Sequence, residues 1–479
     1  MNSKAKIKLV VSLAIAVYSL VGCGQRSSQN SSTQSGNQTA GNNGRTENLK
    51  NKISTGERLL LNKNSNKHKI AAAEAYAYSD YNRAISEWEN SLKQQRNDPE
   101  SLIYLNNARI GTNPSHTIAV PIPIDAEINV AKEILRGAAQ AQYEINRNGG
   151  IKGTPLKLAI ANDRNNPDTA KALATLFSQN SEILGIVGHF SSNVTLEAAQ
   201  VYQNKGLVVV SPTSSTTALS NVGSYVFRTV SSDCFAGSAL AEYMVEQIGV
   251  KQAAVVYNSA SSYSASIRDV FENSLDKNGG AVVAEFNFNQ PNFDIANVLA
   301  TAKAKNAQAI ALFPNSSGQN ASEALDKTLL IATLNQGELF LLGGDSLYKP
   351  RVLQLGQQNV VDLVVSVPGQ ISSQNSQFID TAKELWGGRV NWRTSLSYDA
   401  TVALAKVIEI DPTRTGVRQA LLAPEFTAQG ASKPIEFLPT GDRAGEVELV
   451  RVAKGNSSGF GYDFVPIPND SNSAANTCN

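Results

Sequence analysis

Two doubly wound, parallel-sheet α/β lobes preceded by a short α-helical segment are what this 479-residue sequence predicts, and three observations lead there. From Thr117 onward, short apolar runs alternate with amphipathic helical stretches, the rhythm of repeated strand-helix-strand units. The runs Ala253–Tyr257 and Gly185–Gly188 are almost wholly apolar or glycine, as strands covered on both faces must be. The alternation is also too long for one small sheet, and the chain is long enough for two cores.

The strand expectations in order are 117–122, 156–161, 183–187, 207–210, 253–257, 281–286, 308–312, 339–342 and 360–366. Helices are expected at 127–146, 168–180, 194–204, 236–248, 264–278, 293–305, 320–334, 376–386 and 397–409. Asn148-Gly149-Gly150 and Asn278-Gly279-Gly280 end two of those helices with glycines that accept positive φ, each leading to a strand. That shared punctuation, one instance in each half, points to two similar lobes.

Ahead of this body the texture differs. Lys4, Lys6 and Lys8 precede an apolar run from Leu9 to Val21, too short to span a bilayer comfortably, and then Gly22 and Cys23. A basic start, a short apolar stretch and a small residue before the cleavage point read as a secretory signal over residues 1–22. The run Leu20-Val21-Gly22-Cys23 resembles a bacterial lipoprotein signal, which implies lipidation of Cys23. Residues 23–69 read as the lipidated cysteine and a flexible linker, since Ser, Gln, Asn, Gly and Thr dominate 24–48. Residues 70–110 carry helical periodicity in Ala72, Ala75, Tyr81, Ala84, Trp88 and Leu92, then Pro99 and Leu102. This resembles one tetratricopeptide repeat, with Ser91 where alanine is usual. A single repeat cannot bury a continuous face, so a helical hairpin packed on the main body, a dimer contact or a plain helical spacer all fit. Deleting 24–110 is expected to leave ligand binding intact.

Composition narrows the function classes. A formal net charge of +1 with no long Lys/Arg run argues against a nucleic-acid partner. No HExxH zinc pattern, no phosphate loop and no Gly-x-Ser-x-Gly elbow is present, so neither a metal nor a cofactor is expected. His189, Ser192 and Asp163 are conceivable as a catalytic triad, but a structural or cleft-lining histidine serves as well, and a non-enzyme is expected. With Cys23 acylated, Cys234 and Cys478 remain, either paired or free.

From about residue 117 to 455 the chain then presents a series in order: Gly137-Ala138-Ala139, Asn148-Gly149-Gly150-Ile151-Lys152-Gly153, Gly188-His189-Phe190-Ser191-Ser192, Val210-Ser211-Pro212-Thr213, Phe227-Arg228-Thr229, Tyr263 and Phe293-Asp294. This series resembles the branched-chain amino-acid (Leu/Ile/Val) binding proteins, the type I periplasmic solute-binding fold. The resemblance implies a ligand cleft between the lobes and three chain crossings. Lobe 1 would then be 116–233 plus 369–427, lobe 2 would be 234–368 plus 428–466, and 467–479 would be a disordered tail. It implies a receptor, held at the membrane by its lipid anchor in the periplasm or on the cell surface, that delivers an amino acid to an inner-membrane ABC-type permease. A ligand sensor or scaffold with a non-amino-acid solute, such as a small amide, is the alternative.

The same resemblance assigns ligand contacts to Ser192, Thr213, Ser215, Tyr263 and Asp345. Ser192 stands at a strand-to-helix turn where a serine either caps the helix or offers donors to an anion. Thr213 and Ser215 lie in a hydroxyl-rich loop that local capping bonds would explain equally. Tyr263 offers a rigid wall and one hydroxyl, though Ser264 replaces the family's usual glycine. Asp345 would hold the ligand ammonium, or else serve as a turn aspartate. Two positions depart from the family. Asn315 offers an amide at a place where an aromatic or polar contact is common. The loop ending at Val130 lacks the usual Gly/Ser character, so Asp125 and Glu127 would favour a basic side chain and Val130 an aliphatic one.

Overall fold

The computed structural model describes residues 48–63, 65–318, 320–369, 376–388, 390–445, 447–468 and 478. The secretory signal expected at 1–22 and the lipidation expected at Cys23 lie outside the described residues. Two sheets organise the rest. The first has the order β1-β3-β2-β4-β5-β6, formed by Ile53–Ser54, Leu156–Asn162, His116–Ile122, Ile183–Val187, Val209–Ser211 and Val226–Arg228. All its pairings are parallel except that of β1, which runs antiparallel to β3 with Ile53 opposite Ala161. The second sheet has the order β15-β14-β11-β10-β9-β7-β8. In chain order its strands are β7 (Gln252–Tyr257), β8 (Ala281–Asn287), β9 (Ala309–Phe313), β10 (Phe340–Gly343), β11 (Val364–Val367), β14 (Glu448–Lys454) and β15 (Tyr462–Pro466). Strands β7 to β11 pair in parallel, and β14 and β15 close one edge antiparallel. A small ribbon pairs β12 (Ala428–Gln429) with β13 (Pro434–Ile435).

Fourteen α-helices pack around these strands among the described residues: α1 (Lys67–Ala77), α2 (Tyr81–Gln94), α3 (Pro99–Ile110), α4 (Ile128–Arg147), α5 (Pro167–Gln179), α6 (Ser192–Lys205), α7 (Asp233–Glu242), α8 (Ser262–Lys277), α9 (Ile295–Ala304), α10 (Ala321–Asn335), α11 (Pro350–Gly356), α12 (Ser376–Trp386), α13 (Trp392–Ile410) and α14 (Arg414–Leu421). None of them is long and apolar enough to cross a membrane. Ala170, Leu173 and Phe177 of α5 with Val194, Ala198 and Tyr202 of α6 cover one face of the first sheet. Ile134, Leu135 and Ala138 of α4 with Ala400, Leu404 and Val407 of α13 cover the other. The second sheet is clad in the same way, by α9 to α11 on one face and by α7 and α8 on the other. Burial on both faces is why its strands read as unbroken apolar runs. Helices α4 and α13 touch at Gly137, where a Cβ would sit 2.1 Å from the Thr394 carbonyl oxygen. That close approach requires glycine.

The amino-terminal segment departs from expectation. Residues 48–69 were expected to be a flexible linker, yet Ile53 and Ser54 form the edge strand of the first sheet and Leu61 is buried. Their apolar side chains are few but find a preformed sheet edge to pair with, which composition does not reveal. The expected hairpin is three helices. Almost every residue of α3 is buried, and Leu102, Ile103, Tyr104 and Leu105 belong to the first sheet's own core. Asn107 fastens it: its Nδ2 donates to the Thr55 and Leu158 carbonyls (2.7 and 2.8 Å), and its Oδ1 accepts from Gln142 Nε2 (2.8 Å). Lys69, Asp98 and Glu100 form a buried ionic cluster, with Nζ 2.7 Å from Asp98 and 2.9 Å from Glu100. Glu100 also accepts the Leu60 and Leu61 amides.

A second departure concerns residues 428–437, expected with the second lobe. Ala428 and Ile435 sit in the first core, Asp399 of α13 accepts the Ala431 amide (2.6 Å), and Arg443 pairs with Asp399 at 2.5 Å. Buried Arg228 pairs with Asp442, and its Nη1 donates to the Thr216 carbonyl (2.6 Å). These pairings hold the chain to the first sheet until β14 begins. Cys478 forms a disulfide with Cys234 at the start of α7, with Cα atoms 5.8 Å apart, so this tail residue is tethered.

Candidate functional site

A cavity of about 330 Å³ opens where the carboxyl ends of both sheets face each other, within the range that small-molecule sites occupy. Its walls are the segments that follow β3, β4, β5, β7, β8, β9 and β10, together with the first turn of α13. Open parallel sheets hold ligands at this edge, because the loops there are free to vary while the strands fix their ends.

Ser192 is the first residue of α6 and lines the cavity. The N-cap position is Ser191, whose hydroxyl donates to Asn165 Oδ1 (2.6 Å) instead of capping the helix. The amides of Ser192, Asn193 and Val194 therefore start the helix with no side-chain cap, at the end where the backbone dipole favours an anion. Thr213 also lines the cavity, and its hydroxyl proton is spent on the Phe190 carbonyl (2.8 Å). Its remaining lone pairs suit a cationic donor.

Tyr263, in the first turn of α8, and Asp345, just beyond β10, face the same space. The phenol oxygen accepts the Ser346 amide at 3.3 Å. Gly344 makes this contact possible, because a Cβ there would lie 2.3 Å from the phenol oxygen. Burial pushes the Asp345 carboxyl above the usual range, while Arg393 and the Tyr263 hydroxyl pull it back. Asn315 completes the set that the sequence placed in the site: its Oδ1 accepts from Asn258 Nδ2 (2.8 Å) and its Nδ2 donates to the Ser317 carbonyl (2.9 Å).

Ser215 and Val130 fall outside the lining. The loop after β5 curls onto Ser211, whose Oγ accepts the Ser214 amide (3.1 Å), and this turns Ser215 inward beside Asp233. Val130 is in the first turn of α4, where helical rotation directs it onto the first core. Of the neighbouring acids, exposed Asp125 pairs with Arg164 at 3.0 Å. Glu127 lies within electrostatic reach of Lys349, Arg393 and the Gly318 amide. Ser264 absorbs its departure from glycine by donating to the Phe313 carbonyl and accepting the Asn258 amide (2.7 Å). The conceivable triad is not assembled, since fully buried His189 uses Nδ1 on Asp163 (2.7 Å) and Nε2 on Tyr202 (3.1 Å), leaving Ser192 untouched.

Sequence reasoning missed Asn193, Trp392 and Arg393. Asn193 bridges the two halves: Nδ2 donates to the Ala260 carbonyl (3.2 Å) and Oδ1 accepts the Ser262 amide (2.9 Å). Trp392 and Arg393 begin α13, which was expected to start only at 397. Asn391 is the legible signal, an N-cap that accepts the Arg393 amide at 2.9 Å. Behind the lining, burial pushes Asp233 up to about 7 and Lys349 down to about 8. No group of three or more His, Cys, Asp or Glu among the described residues is arranged to hold a metal ion.

The chain matches the family model described as periplasmic binding protein over residues 125–458. It is 31% identical over 155 residues to an amino acid binding protein of Pseudomonas aeruginosa, covering 32% of this chain and 41% of that one. It is 28% identical over 171 residues to the Leu/Ile/Val-binding protein of Escherichia coli, covering 36% and 46%. These matches span less than half the length of the curated relatives. An ABC transporter substrate-binding protein from Desulfitobacterium hafniense, solved in complex with Leu, superposes with a TM-score of 0.61 at 24% identity, over 73% of this chain and 100% of that one.

Proposed function

The chain belongs to the periplasmic binding protein family, and from that premise we propose that it is an extracytoplasmic receptor that closes its cleft on an amino acid and delivers it to an inner-membrane ABC-type permease. The observation that carries this reading is the separation of charge within one cavity. Uncapped amides at the start of α6 suit a carboxylate, while Asp345, held by Tyr263, and the Thr213 hydroxyl oxygen in the same lining suit an ammonium. Both fixed charges of an α-amino acid are thereby answered, as burial of a zwitterion requires. Closure expels water and strengthens each of these contacts. The bridge from Asn193 to Ala260 and Ser262 is the kind of contact that forms as the halves come together. Release to a permease then consists of breaking few, polar, cross-cleft bonds.

The test is calorimetric titration of the ligand-stripped protein with the standard amino acids, and with urea, short amides and sugars as contrasts. At least one amino acid is expected to bind at micromolar or tighter affinity. Asp345→Ala is expected to weaken that binding by about 2–4 kcal/mol, because it leaves the ligand ammonium buried without its counter-charge. Binding of none of the amino acids would overturn the amino-acid reading.

A further inference from the structure

We propose that Arg393 sets the specificity of the cleft and selects a solute with a second acidic group, an α-amino dicarboxylic acid in preference to an aliphatic amino acid. This rests on the amino-acid reading above and adds the class of side chain. Arg393 is only 6% exposed, lines the cavity, and its Nε has no hydrogen-bond partner. Its guanidinium lies over the Trp392 ring at 4.2 Å from the centroid. Among the described residues that guanidinium enters no ion pair, although the carboxylates of Asp345, Glu133 and Glu127 are close enough to act on it. Glu133 is itself committed to Arg136 (2.5 Å) and to the Thr394 hydroxyl. Arginine does not shed its charge, so a buried guanidinium without a partner is held ready for an anion.

The other two charged groups of the ligand already have places. The α-carboxylate is answered at the start of α6 and the ammonium at Asp345, so Arg393 is left for the side chain. Glu127 lies within reach of both Lys349 and Arg393, and Asp345, facing the guanidinium and an incoming ammonium, is divided between them. A second carboxylate resolves the imbalance, and the planar guanidinium fork matches it in two parallel hydrogen bonds.

The walls agree. Six asparagines contribute to the lining, at 165, 193, 258, 289, 315 and 320. Val194 is the single branched aliphatic residue in the lining among the described residues. An isobutyl or isopropyl side chain would meet amides and strand the guanidinium, whereas a carboxylate would be hydrogen-bonded by the guanidinium and by the asparagine N–H groups not already given to Asn315, Ser317 and Ala260.

The experiment titrates L-glutamate, L-aspartate, L-leucine and L-valine into the full chain, purified in detergent and stripped of ligand through guanidinium. Glutamate or aspartate is expected to bind at least tenfold more tightly than leucine and valine. Arg393→Met is expected to lower the affinity for the acidic ligand at least thirtyfold and to change that for leucine by less than threefold. Arg393→Lys, which keeps the cation, is expected to retain part of the preference. Leucine or valine binding most tightly to the wild-type chain overturns the inference and leaves the amino-acid reading standing, and this comparison does not depend on any variant folding. Equal weakening of leucine and glutamate in Arg393→Met also overturns it. Failure of every amino acid to bind removes both.

Discussion

Asp233, Asp345, Glu127 and Lys349 are the titratable groups through which pH reaches the cleft. Asp233 is buried, and burial, reinforced by the neighbouring Asp345, pushes it up to about 7 against the opposing pull of the Ser215 and Ser266 hydroxyls and Arg228. The sign follows from linkage. In the unfolded chain an aspartate titrates near 3.9, so the folded, empty protein holds this proton more tightly. The stabilisation is complete below about pH 4 and is lost as pH rises toward 7. Binding of the proposed amino acid would run the other way, because an ammonium placed near these acids favours their ionised forms and expels the proton. Affinity is therefore expected to fall by up to about tenfold per pH unit below 7 for each proton released. Titration between pH 5.5 and 8 in buffers of differing ionisation enthalpy would measure the proton count, and a flat profile would exclude the coupling. That Ser192, Thr213, Tyr263 and Asp345 line one cavity was legible through the family resemblance, and each follows a strand end, where side chains converge. Arg393 was not, since in sequence it is one arginine of a helix start, and only packing shows that it lacks a partner.

At the scale of elements, the helical segment before the first sheet is part of that sheet's core. Trp88 is fully buried and inclined against Tyr104, and α3 inserts nearly all its side chains between α4 and the rest of the segment. Removing residues 24–110 would expose Leu102, Ile103 and Tyr104 together with the faces they cover, and would unpair β1 from β3. The expectation that such a deletion leaves binding intact is therefore replaced. The truncated chain should fail to fold cooperatively, as followed by thermal unfolding with circular dichroism. A gentler change, Asn107→Ala, removes the donor to two buried carbonyls and should cost about 2–4 kcal/mol in a denaturant titration. An unaltered midpoint would show that these carbonyls find other partners. Periodicity announced the helices of this segment because tryptophan, tyrosine and alanine recur on one face. It carried no information on where that face docks.

Across the whole molecule, two sheets present their carboxyl edges to one cavity, and buried pairs distant in sequence hold the returning chain in place. Arg228 with Asp442 and Arg443 with Asp399 join segments separated by 214 and 44 residues. The proposed delivery to a permease requires the protein to stay near the membrane, and the lipidation proposed at Cys23 would supply that, since acyl chains partition into the bilayer with about 0.8 kcal/mol per buried methylene. Cys23→Ser is expected to shift the protein from the membrane to the soluble fraction on cell fractionation. Unchanged membrane retention would remove the anchor from the reading.

From sequence alone the α/β class, the main alternation of strands and helices between 117 and 409 and the family resemblance are legible, because these depend on local periodicity, on glycine at helix ends and on residues at strand termini, whereas the short strand Val226–Arg228, the helices Pro350–Gly356 and Arg414–Leu421 and the strands after 427 are not. Tertiary structure alone decided that Val130 and Ser215 turn away from the cavity, that residues 428–437 pack on the first core, and that an unpaired guanidinium faces the ligand space. Each of these is a matter of which side chain meets which in the folded chain. Such meetings are set by the packing of both cores together, and no short window of sequence contains them.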